Sequence, residues 1–485
     1  MEPPSVSLKA ITNNPNGSIP PKHKAPSHDA FFKSVQWSAD GTTLFTSSFS
    51  NRICTFVLPE TLLQPRESPV ELIAHSTLAL PEPSSAIAPC PYFALEHPST
   101  QTLLTASTDH PIHLHHAFPP SPSPSSPSPA DDTPSPPSPP PPQQQKQPPP
   151  LASFRLIKHE TEAYLPIASL IWPAPGTHFI AGTTNRIALF DLSRPDALSP
   201  DPLLSIPTIP STRHLAKGGG VGMRGMVSAL AAQPMVGVGG ADGGDGGGGG
   251  GGNGGWGLLA AGTRTRNLGL YDLVRSGECV ATWSAAGAAR EAGIGGRGVM
   301  QTAWSPCGRY LVVNERGATG LLVYDLRGTH RLLGMLEGRD GTTNQRLSCD
   351  VFPGTESTGG FEVWAGTKNG GVVVWEGVGN QEGAVQPSWD WKAHGSAVGA
   401  TAMHMSGSVV VTCSGAWKFV DGNEDESSDS SDSSDEPGPG AGATRRSNSK
   451  SKIVVEETSL KVWSLGPGNS PQVERENSVS GDTET

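Results

Sequence analysis

Between Gly338 and Cys349 the chain reads GRDGTTNQRLSC, and no apolar side chain interrupts it until Leu347. Each residue type in TTNQR (Thr342, Thr343, Asn344, Gln345, Arg346) suits contact with a nucleic acid. Arg gives bidentate contacts to phosphate or guanine and stacks on bases, Asn and Gln hydrogen-bond base edges, and Thr reaches sugar hydroxyls. The same types also satisfy backbone groups in tight connections, where Asn and Thr cap turns. Residue types alone leave both readings open. Three further segments carry arginines in turns: Asn51-Arg52, Asn185-Arg186 and Arg264-Thr265-Arg266. For the two Asn-Arg pairs a turn role is the stronger reading, because Asn tolerates the left-handed conformation that tight hairpins need.

The elements that must position these segments form a repeated phrase. FFKSVQWSADGTTLFTSSFSNRICTFVLP, from Phe31 to Pro59, reads as strand, Asp-Gly turn, strand, Asn-Arg turn, strand. The phrase returns from Tyr164 to Leu192 and from Gly298 to Leu326. From its first apolar residue to its last aromatic, each copy runs about 25 residues, as a WD-repeat blade should. Weaker copies span Tyr92 to Phe118 and Leu347 to Gly377, and two more are split by inserts, from Met226 to Leu273 and from Val398 to Leu465. Seven copies predict an all-β chain, a single seven-bladed WD-repeat β-propeller, whose closure removes sheet edges.

The seventh copy lacks an outer strand, since the residues after Leu465 are too polar to supply one. Ser5 to Thr12 alternates Val6, Leu8 and Ala10 against polar residues, so the N-terminal segment is expected to pair there and close the ring. The propeller then covers residues 1–466, with a disordered tail over 467–485. Pro-rich (119–150), Gly-rich (238–256) and acidic (417–455) stretches are expected to be disordered insertions, because their compositions cannot bury a core.

Strand parity assigns loops to faces. A four-stranded meander returns to the same face at every second turn, so the turns between second and third strands share a face with the links between blades. TTNQR falls in such a link and the other Arg-bearing segments in such turns, so all four are expected to converge on one face. The acidic tract enters on that face too, where it would compete with RNA phosphates if it folded back. The Pro and Gly tracts fall on the opposite face.

The net charge of −11 argues against a generally basic nucleic-acid binder. Eight acidic residues lie between Asp421 and Glu436, however, and the rest of the chain is near −3, which leaves room for local basic patches. The six cysteines are scattered without a C-x-x-C pair, as expected in a reducing compartment. MEPPSVSLKA is not a signal peptide and no apolar run approaches a membrane span, so no membrane association is expected.

Enzyme readings fail on their contexts. Gly220 to Gly225 matches G-x-G-x-x-G without the strand and helix that a dinucleotide site requires, and the long Gly tract lacks the Lys-Ser/Thr of a phosphate loop. Among His110, His113, His115 and His116, residues 113 and 115 share one strand face, but no carboxylate or Cys lies beside those two to complete a metal site. Phe56, Phe190, Tyr324, Trp375 and Trp463, which end third strands, read as blade core rather than base-stacking platforms. No catalytic residue, cofactor or metal is expected.

From about Phe31 to Leu465, inserts aside, the chain resembles the telomerase Cajal body protein family, WD-repeat proteins that bind small Cajal-body RNAs. It is most similar to the fungal branch, whose members are linked to pre-mRNA splicing. The stretches that carry the likeness are KSVQWSADGTTLFTSSFSN, HPIHLHHAF…LASFR, NRIALFDLSRP, RNLGLYDL and above all TTNQRLSCDVFP. An acidic insertion in the last blade before LKVWSL is also a family trait. His115 and His116 depart from the pattern, standing where the family tends to carry Trp-Asp.

The resemblance implies a non-catalytic scaffold that binds small nuclear or small Cajal-body-type RNA and assists biogenesis of splicing or telomerase ribonucleoproteins. It favours a binding role for TTNQR. Ribonucleoprotein proteins are then expected partners, with the chain a monomer inside a larger complex. The localisation expected is nuclear, with a cytoplasmic share also allowed, and RRSNSKSK (Arg445 to Lys452) is a thin import candidate. The Pro-rich insert offers a polyproline ligand to an SH3- or WW-type domain. The alternative is a protein–protein adaptor propeller with no RNA ligand, such as a ubiquitin-ligase substrate receptor or a signalling scaffold.

Overall fold

The computed structural model describes residues 3–17, 30–119, 149–158, 160–193, 201–210, 222–234, 257–328, 331–420 and 452–466. Seven antiparallel sheets form a seven-bladed β-propeller, so the expected fold class is correct. Strands a to d of each blade run from the central axis outward. Blade 1 comprises Phe32–Trp37, Thr43–Ser48, Arg52–Val57 and Ser76–Ala79, and blade 2 Ser84–Pro89, Thr102–Ser107, Ile112–His116 and Ala152–Phe154. Blade 3 comprises Ser169–Ile171, His178–Thr183, Arg186–Asp191 and Leu204–Pro207, and blade 4 Val227–Ala232, Leu258–Thr263, Asn267–Asp272 and Glu278–Ser284. Blade 5 follows with Val299–Trp304, Tyr310–Glu315, Leu321–Asp325 and Arg331–Leu336, then blade 6 with Cys349–Pro353, Phe361–Gly366, Gly371–Val378 and Trp389–Lys392.

Blade 7 is assembled from both halves of the chain: Val398–Met403, Val409–Ser414 and Ser459–Gly466, with Ser5–Thr12 as its outer strand. Val6 lies opposite Leu465 and Leu8 opposite Trp463. Val70–Glu71 then adds in parallel outside Ser5–Thr12, and Gly383–Val385 does the same outside blade 5, so two exposed sheet edges are covered.

The core lies between blades. Phe32, Val35, Leu44 and Phe56 of blade 1 pack against Val409, Val411 and Val462 of blade 7. Each such side chain contributes about 1.5–3 kcal/mol on full burial. Phe56, Phe190, Tyr324 and Trp375 are at most 1% exposed, which places them in the blade core.

Two details differ from the expectation. The first strand of blade 2 is Ser84–Pro89, not the YFALEH segment. Phe93 made that segment look strand-like, but it is a loop residue buried edge-on against Phe45, with ring centroids 5.3 Å apart. The real strand hides behind Ala and Pro, which have low strand propensity. The acidic insertion is also narrower than residues 417–455. Its two ends, Trp417–Val420 and Lys452–Val455, pair as an antiparallel ribbon, because WKFV and KIVV are strand-forming sequences. The Gly-rich stretch and nearly all of the Pro-rich one, the acidic residues and RRSNSK lie outside the described residues.

Candidate polyanion site at the channel mouth

The seven inner strands enclose a channel, with an interior cavity of about 430 Å³ lined by residues such as Gln36, Ser169, Gln301, Ser348 and Asp350. Asp350 accepts backbone N–H bonds from Val351 (2.9 Å) and Met403 (2.7 Å), and burial still pushes its carboxyl up to about 6. On the face where blade links and b–c turns emerge, the channel opens into a second cavity of about 480 Å³. Five cationic side chains line this mouth: Lys33, Arg264, Arg297, Arg316 and Arg346. Asn344, Gln345, Ser84, Ser85 and Thr108 add polar groups, and among the described lining residues there is no Asp or Glu.

The blade 5–6 link delivers Arg346, and the link is held by a second arginine. Arg339 is 2% exposed; its Nε donates to the Gly366 carbonyl (2.9 Å), Nη1 to Asn314 Oδ1 (2.8 Å) and Nη2 to the Leu347 carbonyl (2.7 Å). Burial pulls its pKa down to about 10, so it remains charged. Asp340 then accepts from the Thr342 N–H (3.2 Å), the Thr342 hydroxyl (2.7 Å) and the Asn369 amide (2.8 Å), which fastens the link to the blade 6 b–c turn. Thr343 Oγ1 accepts the Gln345 N–H at 3.2 Å, and the Gln345 amide donates to the Gly415 carbonyl at 2.7 Å.

TTNQR is therefore divided. Thr342, Thr343 and Gln345 use their polar groups to shape the link. Asn344 and Arg346 face the mouth, where Asn344 Oδ1 accepts from Arg297 Nη1 at 3.1 Å.

Blades 4 and 5 supply the other guanidinium groups. Arg264 sits in the blade 4 b–c turn, pressed against Gly298, where a Cβ would stand 2.5 Å from the Arg264 carbonyl oxygen. Gly298 also has a φ of 141°, so both space and conformation require glycine there. Backbone bonds from Arg297 to the Arg316 carbonyl and from Arg316 to the Gly298 carbonyl, each 2.9 Å, set those two arginines side by side. Lys33, near the start of blade 1 strand a, donates to the Ser84 carbonyl.

Arg264, Arg316 and Arg346 make no side-chain hydrogen bond or ion pair with the described residues. Burial first, then Arg316 and Arg264, lower the pKa of Arg346; burial and Arg264 lower Arg316; burial and Arg346 lower Lys33. An arginine does not lose its proton at neutral pH, so the cluster stays charged and mutually repelling.

Of the sequence-predicted residues, the structure brings Arg264, Asn344, Gln345 and Arg346 together around the mouth, while Asn51, Arg52, Asn185, Arg186, Arg266, Thr342 and Thr343 do not line it. Asn51 and Asn185 adopt φ of 58° and 56°, and Asn185 Oδ1 accepts the Gly225 N–H at 2.6 Å, so both serve their turns. Arg52 and Arg186 begin strands c of blades 1 and 3. Arg266 forms a bidentate pair with Glu315 (3.0 and 2.7 Å). The Glu315 side chain is 1% exposed, so the pair retires a carboxylate that would otherwise oppose the mouth's charge.

Sequence reasoning missed Lys33, Arg297 and Arg316. The parity argument contained the signal for two of them: Arg316 lies in the blade 5 b–c turn and Arg297 in the blade 4–5 link. The sequence matches no protein-family model and no curated protein.

Proposed function

We propose that the chain is a non-catalytic propeller scaffold that binds RNA at its channel mouth. The observation that carries this reading is the cluster of five cations with no carboxylate among the described lining residues, in a protein of net charge −11. Unopposed cations repel one another in the free protein, and phosphates relieve that repulsion. Arginine predominates at the mouth, which suits planar bidentate recognition of phosphate and stacking on bases. The likeness of TTNQRLSCDVFP and the other stretches to the telomerase Cajal body protein family points to small nuclear or small Cajal-body-type RNA, ribonucleoprotein partners and a nuclear site of action.

The test is to crosslink the tagged protein to RNA in cells, alongside a variant carrying Arg264→Ala, Arg316→Ala and Arg346→Ala. A defined small RNA, enriched with the wild type and lost from the variant, is the expected result. With five cations each meeting one phosphate, the in vitro slope of log affinity against log salt should approach about −3.5 on a single strand. Absence of any enriched RNA, with affinity for acidic or phosphorylated proteins instead, would overturn the reading in favour of an adaptor.

A further inference from the structure

Beside the cation cluster stands a group of three aromatic rings. Phe31 is buried, at 1% exposure, and supports two rings that are not: Phe49 is 43% exposed and Trp417 is 41% exposed. Phe49 packs on Phe31 with centroids 4.3 Å apart, and Trp417 meets Phe31 edge-on at 5.3 Å and Phe49 at 6.2 Å. Phe49 also lines the mouth with Arg346 and Lys33, and the Lys33 ammonium lies 5.8 Å from the centre of its ring.

The position of this group is built into the fold. Phe49 belongs to the blade 1 b–c turn, and Trp417 starts the two-stranded ribbon that rises from the blade 7 b–c position. The ribbon's base is fixed at Gly415, whose carbonyl accepts the Gln345 amide and whose N–H donates to the Ala397 carbonyl (3.1 Å). A Cβ at Gly415 would stand 2.3 Å from Phe31 Cβ, so only glycine lets the ribbon close down on that ring. The residues that aim Arg346 into the mouth thus also set the place of Trp417.

We infer that Phe49 and Trp417 form a stacking step for an unpaired base, so that the ligand of the mouth is single-stranded RNA, held by its phosphates on the arginines and by one or two bases on these rings. This rests on the reading of the mouth as an RNA site. Every base has a π-face, whereas a duplex keeps its bases stacked inside and cannot offer one to an exposed ring. A cation beside the platform adds attraction for both phosphate and ring. Aromatics of the blade core, such as Phe56, Phe190 and Trp375, are at most 1% exposed and cannot serve in this way.

The experiment compares binding of the full chain to an oligouridylate of about ten nucleotides and to an abasic ribose-phosphate oligomer of the same length. Wild-type protein should bind the base-bearing strand about tenfold more tightly or better. The Phe49→Leu/Trp417→Leu pair should bring binding of the base-bearing strand down to that of the abasic one, and Phe49→Tyr/Trp417→Phe should keep the preference. Equal binding of both oligomers by the wild type would overturn the stacking step while the RNA site stands, and it needs no variant to be folded. Preference retained in the leucine pair would place the stacking elsewhere and also overturn the proposal. Failure of the wild type to bind either oligomer would overturn the RNA site itself.

Discussion

Arg339 and Arg346 stand seven positions apart on one blade link, and the fold treats them in opposite ways. Arg339 is sealed inside and every face of its guanidinium meets an acceptor: a side-chain amide of blade 5, a carbonyl of blade 6 and a carbonyl of its own link. Arg346 reaches the channel mouth, where its charged neighbours are Arg316, Arg264 and Lys33. Residue type does not separate the two roles. What separates them is whether acceptors surround the guanidinium: three do so at Arg339, and none of the described residues does at Arg346. Where they do, the arginine is a structural strut; where they do not, the charge is left facing other cations.

The largest effect that tests this contrast is at the strut. Arg339→Met takes a donor from the Asn314 amide oxygen and from the Gly366 and Leu347 carbonyls, of which Leu347 keeps only the Asn314 amide at 2.9 Å, and we expect a loss of about 3 kcal/mol or more in urea unfolding. A loss below about 1 kcal/mol would show that the link holds without it.

A second buried polar group sharpens the comparison through pH. His394 bonds through Nδ1 to Ser459 Oγ (2.8 Å) and through Nε2 to Thr412 Oγ1 (2.7 Å), and Trp463 Nε1 donates to the same Thr412 oxygen (2.8 Å). Burial, with Lys461 nearby and only partly offset by Glu457, holds its pKa down to about 3. A histidine whose folded pKa lies below its unfolded 6.5 loses its contribution as pH falls from 6.5 toward that value. Between pH 7 and pH 4 the stability gap between wild type and His394→Gln should shrink by about 3 kcal/mol, measured by urea unfolding at both pH values. An unchanged gap would mean that the ring is protonated in place.

The smallest effect has the opposite sign. Arg346→Gln removes one member of a repelling cluster, so the free protein should gain about 0.5–1 kcal/mol in stability at low salt, with the gain fading at high ionic strength. The same substitution at the strut's end of the link should never stabilise. A destabilised Arg346→Gln protein would mean that Arg346 is a second strut.

The architecture was legible because propeller blades repeat their turn chemistry. W-S-x-D/C-G and aromatic-Asp-Leu endings mark strands even where inserts split a blade. It failed where a blade departs from the rule: Ser84–Pro89 is a strand of small residues, and Phe93 imitated one from a loop. The candidate site was half legible. TTNQR and Arg264 were visible as a dense polar link and an Arg-bearing turn. Lys33 was hidden in a strand and Arg297 in a glycine-rich lead-in. The buried role of Arg339, and the pairing that withdraws Arg266 from the face, depend on groups brought together only by the fold, such as Asn314 and Glu315.

The outer strand of blade 7 carries a consequence for folding kinetics. Ser7 and Ser464, whose hydroxyls meet at 2.7 Å, are 457 positions apart in the chain. A contact that distant carries a high loop-closure cost and is slow to form. On the ribosome, Ser5–Thr12 emerges long before Ser459–Gly466, its partner strand, has been made. Until then blade 7 has an unpaired edge and the ring an open seam, with Val6 and Leu8 waiting exposed. Ring closure is thus a single late event, and the period before it is when this propeller is most open to chaperone binding or to pairing with the wrong strand.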